Sequence, residues 1–132
     1  MEIENVKITD VSLSMADHGC LTFDIAIKGN GFGCTIGGYC IGHGYLGADE
    51  FIAENGHGLE AMMNIMNVVG VDKWENLKGK YCRIKTDGWG SIVKVIGNII
   101  EDKWFDIGKF FEEKQKEIGM KNVLEYINVK TE

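Results

Sequence analysis

Leu21-Thr22-Phe23-Asp24-Ile25-Ala26-Ile27-Lys28 decides the fold. Its apolar residues Leu21, Phe23, Ile25 and Ile27 alternate with Thr22, Asp24, Ala26 and Lys28. A period of two residues is that of a strand with one face in a core, so residues 20–28 are read as a half-buried strand. On its N-terminal side, residues 3–15 mix Val6, Ile8, Val11, Leu13 and Met15 with polar positions, which predicts a strand or a bent pair of strands. The turn Ala16-Asp17-His18-Gly19 folds that segment back onto 20–28 as a hairpin. On the other side, Gly29-Asn30-Gly31-Phe32-Gly33 is a second turn. Cys34 to Ile41 is a third strand, weakened or bulged at Gly37-Gly38.

Further along, residues 42–57 read as a loop rich in glycine and acid. From Leu59 to Val69 the apolar residues Leu59, Met62, Met63, Ile65, Met66 and Val69 recur at helical spacing, and Gly70 suits the left-handed position that closes a helix. Asp72-Lys73-Trp74-Glu75 has an acceptor with an acid three residues on, which predicts a capped helical turn ending before Gly79. Tyr81–Thr86 and Ser91–Gly97 are expected strands around Asp87-Gly88-Trp89-Gly90, with Ile99-Ile100 continuing or beginning an edge strand. Asp106 is placed to cap a last helix from Ile107 to about Glu117. The fold class is therefore α+β. Residues 1–119 form a single domain with a mostly antiparallel β-sheet, one central amphipathic helix and a C-terminal helix. The tail 120–132 carries Val123, Leu124 and Ile127 at helical spacing.

The chain has 132 residues, 45% of them apolar and 26% charged, which excludes a disordered or fibrous protein. Its 18 glycines are about twice the usual ~7% share, and there is no proline. Ten of those glycines lie in residues 29–58. The net charge is −6 and uneven: residues 1–60 sum to −7, residues 61–100 to +3 and residues 101–132 to −2. Arg83 is the single arginine, an unusual economy for a protein that reads duplex nucleic acid. Lys78, Lys80, Arg83, Lys85 and Lys94 read first as a solvated strand face. No stretch approaches the ~20 apolar residues of a membrane span. Without an export signal at the N-terminus, the four cysteines are expected as reduced thiols in a cytoplasm.

Gly42-His43-Gly44-Tyr45-Leu46-Gly47 spells G-x-G-x-x-G after a strand, but no second parallel strand follows to complete a dinucleotide site. Cys40-x-x-His43 has metal-ligand spacing, and Cys20, Cys34, His18 or His57 could complete a set of four. A structural zinc site usually presents two such short pairs, and one is present, so buried or half-buried free thiols are the plainer reading. A thiolate–histidine pair such as Cys40 with His43 lacks an orienting group. No cofactor and no catalytic constellation are therefore expected. Trp74 and Trp104-Phe105 read as satellite core, the methionines as helix core. Trp89, between two glycines at a hairpin tip, reads as a contact residue.

Four phrases carry a resemblance: Asp17-His18-Gly19-Cys20-Leu21-Thr22-Phe23, Gly37-Gly38-Tyr39, the run Val69 to Lys80, and the run Ile96 to Asp106. Across residues 6–111 the chain resembles a group of small accessory proteins of tailed phages and prophages. The resemblance implies a phage or mobile-element origin and an accessory role in the bacterial cytoplasm, of which anti-defence and anti-CRISPR proteins are examples. It implies no catalytic residues.

The leading expectation is a non-enzymatic binding protein that inhibits a host defence protein or its nucleic-acid complex, through an acidic face and the loops at 42–57 and 87–90. Its candidate contact residues are Asp17, His18, Asp24, Tyr39, His43, Tyr45, Asp49, Glu50, Glu54 and Trp89. Two other classes stand beside it. One is a pocket in which glycine amides of 29–47 sequester a small nucleotide ligand. The other is a phage replication or recombination accessory that binds single strands through Lys80, Arg83, Lys85 and Trp89. The oligomeric state is open, with a homodimer allowed.

Overall fold

A computed structural model describes residues 2–17, 20–44, 51–53, 57–88, 91–114 and 116. The alternation at 20–28 is realised as strand β2 (Cys20–Gly29), flanked by β1 (Glu2–Asp17) and β3 (Phe32–Gly44). Then come β4 (Phe51–Ala53), helix α1 (His57–Val69), a 3-10 turn (Trp74–Leu77), β5 (Tyr81–Thr86), β6 (Val95–Gly97), β7 (Trp104–Asp106) and helix α2 over 107–114. The strands form one antiparallel sheet in the order β4-β3-β2-β1-β5-β6-β7. The expected α+β domain with a central and a C-terminal helix is what the chain builds.

Residues 3–15 form one strand, and its bend is a bulge. The register runs Ile8↔Ile27 and then Asp10↔Ala26, so one extra residue at Thr9 keeps Ile8 and Val11 on the same face. That face carries Val6 and Ile8 from β1, Phe23, Ile25 and Ile27 from β2, Ile36 from β3, and Cys82 and Ile84 from β5. Met62 and Ile65 of α1, Leu77 of the 3-10 turn and Ile107 of α2 close over it. Of the three helix methionines read as core, Met62 is buried, Met66 half-buried and Met63 exposed.

Several sequence-based expectations are corrected. The loop read over 42–57 contains the end of β3, whose Gly42, His43 and Gly44 pair with Ala53, Ile52 and Phe51 of β4. Pairing on both sides overrides the weak strand preference of glycine. The same pairing puts the first two glycines of the G-x-G-x-x-G in an antiparallel ladder, not in a strand-to-helix turn. Asp72 does not cap the 3-10 turn: Lys73 stands extended before Trp74, with no side-chain cap bond. The strand read over 91–97 shrinks to Val95–Gly97, because Thr86 and Ser91 hydroxyls hold the chain at Gly88 instead. Ile99-Ile100 is a turn. The Asn98 side-chain oxygen accepts the N–H groups of Ile100 and Glu101 at 2.9 and 2.8 Å, and Asn98 Nδ2 donates to the Val68 carbonyl at 2.9 Å, tying the end of α1 to the sheet. Trp104-Phe105 forms the edge strand β7 ahead of α2; Phe105 packs against the core as read, while Trp104 lies on the opposite face over Gly97. Asp106 does cap α2, accepting the Lys109 N–H at 2.9 Å. The tail 120–132 lies outside the described residues.

Gly37 is the glycine the fold depends on most. The expected bulge is present as a register shift between Thr22 and Asp24 opposite β3, and Gly37 sits there at φ +146°. A Cβ at this position would run into the Phe23 carbonyl oxygen and lie 2.8 Å from Asp24 Oδ1. Gly37→Ala is therefore expected to cost about 2–4 kcal/mol, strain and backbone clash together, read as a lowered denaturation midpoint.

Candidate functional site

Among the described residues the helices cover one face of the sheet only, which sorts the candidate residues. Asp24 is half-buried on the uncovered face, its carboxylate beside Gly37. Tyr39, expected as a surface contact, is instead packed against the core. Its ring stacks on Phe111 of α2 with centroids 4.4 Å apart and lies 6.2 Å from Phe23. Burial first, and the Asp106 charge second, raise its phenol above the usual range. Asp17 ends β1 opposite Cys20, His43 pairs with Cys20, and Cys40 pairs with Thr22. The side chains of Asp17, Cys40 and His43 lie outside the described part. So do residues His18, Tyr45, Asp49, Glu50, Glu54 and Trp89. Among the described residues no three His, Cys, Asp or Glu side chains gather as metal ligands.

The thiols in view are set for packing. Burial raises the Cys34 thiol, and that of Cys82, which is fully buried, is pushed up to about 12. A thiol raised in the folded state is protonated there while the unfolded chain has already ionised. Folding stability is therefore unaffected below about pH 9 and falls as pH rises from 9 towards 12, by about 1.4 kcal/mol per unit. Denaturant titrations at pH 8 and pH 10 should show this loss, and Cys82→Ala should show a smaller one, since the raised Cys34 thiol remains.

The glycine turn Asn30-Gly31 borders a depression of about 770 Å³ at one end of the sheet. Its lining includes Glu2, Glu4, Cys34, Thr86 and Ser91. The charged groups at this mouth are two carboxylates, which repel a phosphate and count against a sequestered nucleotide at this place.

Two surfaces remain, of which sequence reasoning reached only part of the second, through Arg83 and Lys85. The first is a strand edge. Ile8 donates its N–H to the Lys80 carbonyl at 2.8 Å and accepts from Gly79 at 2.7 Å. Pairing of β1 with β5 covers Glu2 to Lys7. Beyond the bulge, strand geometry turns the backbone groups of Val11 and Leu13 to that same side. Among the described residues no strand pairs with them. Leu13 is 47% and Met15 43% exposed. Val11 to Ala16 carries no charge, between Asp10 and Asp17. Natural edges are normally guarded by charge, proline or brevity, and this one lacks all three.

The second is the uncovered sheet face. There Trp104 lies over Gly97. The Arg83 guanidinium carbon and Lys85 Nζ sit 4.7 and 4.6 Å from its ring centre. Arg83 also donates to the Asn98 and Glu101 carbonyls at 2.6 and 2.8 Å, and Trp104 Nε1 donates to Asp102 at 2.8 Å. Much of the basic stripe is thus bound into the fold, Lys78 included through Asp10 at 3.8 Å. Lys7 and Lys28 stand opposite each other on the same face, with Tyr81 beside Lys7. No known protein family, curated protein or solved structure matches the chain.

Proposed function

We propose that this chain is a non-enzymatic binding protein of phage origin that inhibits a bacterial defence component by taking an extended segment of it along the free edge of β1. The observation that carries the reading is the uncharged, partly apolar edge at Val11–Met15, whose backbone donors and acceptors at Val11 and Leu13 face outward. An added strand would satisfy those groups and cover Leu13 and Met15 together. The acids Asp10 and Asp17 bracket the run, and the first 60 residues sum to −7, so the fitting segment is apolar at its centre and basic at its flanks. The defence assignment of the partner is supported by the resemblance of the phrases at 17–23, 37–39, 69–80 and 96–106 to phage accessory proteins.

The test has two arms. Tagged protein is used to retain partners from a lysate of a defence-rich host, with mass spectrometry of what is held. Hydrogen exchange of the complex should then show new protection at residues 11–15. In parallel, a phage carrying the gene should plate better than its deletion mutant on at least one defended strain. Equal plating on every defended strain tested would sink the defence assignment, and unchanged exchange at 11–15 would sink the edge.

A further inference from the structure

We propose that the uncovered sheet face carries a binding site for single-stranded nucleic acid, centred on Lys7, Lys28 and Tyr81. Lys7 of β1 and Lys28 of β2 are directly opposed in the ladder. Like charges in that position repel across a sheet, and a protein of net charge −6 has acids enough to neutralise them. Among the described residues neither lysine is in an ion pair. Tyr81, opposite Lys7 on β5, is 58% exposed, with Lys7 Nζ 5.8 Å from its ring centre. Asn5, Asn30 and these three residues line a shallow depression of about 310 Å³.

Two unpaired ammonium groups beside an open phenol ring are the chemistry of a phosphate ester that carries a base. The ammonium groups take the phosphate, and the ring gives the base a stacking surface. A strand is favoured over a free nucleotide because the depression is open and the face continues past it. Two residues along β5 from Tyr81 comes Arg83, and two further comes Lys85, both above Trp104. Asp10 and Asp24 lie on the other side of the depression, which directs the chain towards β5–β7. The overall negative charge limits the attraction to about a Debye length around the patch, so binding belongs to low salt. The site is separate from the free edge of β1 and does not depend on it.

Fluorescence anisotropy with a labelled oligothymidylate of about a dozen nucleotides, at about 20 mM salt and upwards, tests the proposal. The wild type should bind, with affinity falling as salt is added. Lys7→Gln/Lys28→Gln should weaken binding at least tenfold and reduce the slope of log affinity against log salt by about 1.4, the share of two phosphate contacts. Tyr81→Leu should weaken binding about tenfold and leave the slope unchanged. Unlabelled thymidine monophosphate, inorganic phosphate and oligoglutamate serve as competitors and should compete far less well than the unlabelled strand. The proposal is overturned by absence of binding at low salt, or by an unchanged double variant. Displacement by oligoglutamate or by the monophosphate at strand-like concentrations overturns it too, pointing to an acidic peptide or a free nucleotide. Thermal melts separate lost binding from lost fold: the double lysine variant is expected at or above the wild-type midpoint once the repulsion is gone, and Tyr81→Leu, at an exposed position, close to it.

Discussion

Phe23→Ala is expected to remove about 3–5 kcal/mol of folding stability, a fall of about 10–20 °C in the melting midpoint. Phe23 is fully buried under the 3-10 turn. Its ring meets that of Trp74 edge-on at 5.8 Å and lies 6.2 Å from Tyr39, which in turn stacks on Phe111. Removing it opens a cavity that the flanking isoleucines cannot fill, since β-branched side chains on a paired strand have few other rotamers. It also frees Trp74, whose indole N–H is buried without an acceptor among the described residues, so packing alone seats that ring. Phe23→Leu keeps most of the volume and should cost less than half as much. Equal costs for the two variants would mean that retained bulk counts for nothing and that the ring contacts with Trp74 and Tyr39 carry the whole contribution. A cost under about 1 kcal/mol for the alanine variant would mean that the core does not centre on Phe23.

That residue was legible in the sequence, and the reason is local. A period of two over eight residues announces a strand with one buried face, and Phe23 is the largest side chain on it. Helix α1 was legible on the same grounds, through the spacing of Met62, Ile65 and Val69 and through Gly70, which takes φ +96° after the last turn. Strands β4, β6 and β7 have three residues each, too few for any period to register. What makes them strands is the partner alongside, and that partner is distant in sequence. The same holds for both proposed surfaces. Lys7, Lys28 and Tyr81 come together through two registers joining positions 21 and 74 residues apart, while charge counting places the two lysines in an acidic half and passes over them. Charge density points instead to the stripe from Lys78 to Lys94, yet the fold employs Arg83, Lys85 and Lys78 in contacts of its own. The edge at Val11–Met15 is not legible in the sequence for a different reason. Its alternation announces a strand, but whether a strand has one neighbour or two is decided by where β5 ends.

The effect expected on binding is largest at that edge. Leu13→Lys should leave the fold within about 1 kcal/mol of wild type and weaken capture of the partner about 30-fold or more. The two halves of this expectation have different origins. Leu13 is almost half exposed at the end of the core face, so a lysine there can bury its methylenes and keep its ammonium in water. An incoming strand would enclose that ammonium, and the basic flanks of the fitting segment would repel it. An inward-pointing lysine on an edge strand is the device by which natural sheets refuse a neighbour. Leu13→Val keeps the surface apolar and the backbone groups unchanged, and should retain most of the affinity. The comparison also distinguishes a partner protein from a second copy of this chain. The apolar–Ser–Leu–Ser–apolar pattern of residues 11–15 is symmetric about Leu13, so two β1 edges could pair about a two-fold axis there. If native mass spectrometry finds a wild-type dimer that Leu13→Lys dissolves while capture persists, the edge serves self-association and the partner binds elsewhere. If the wild type is monomeric and Leu13→Lys alone loses the partner, the free edge is where the chain meets its target.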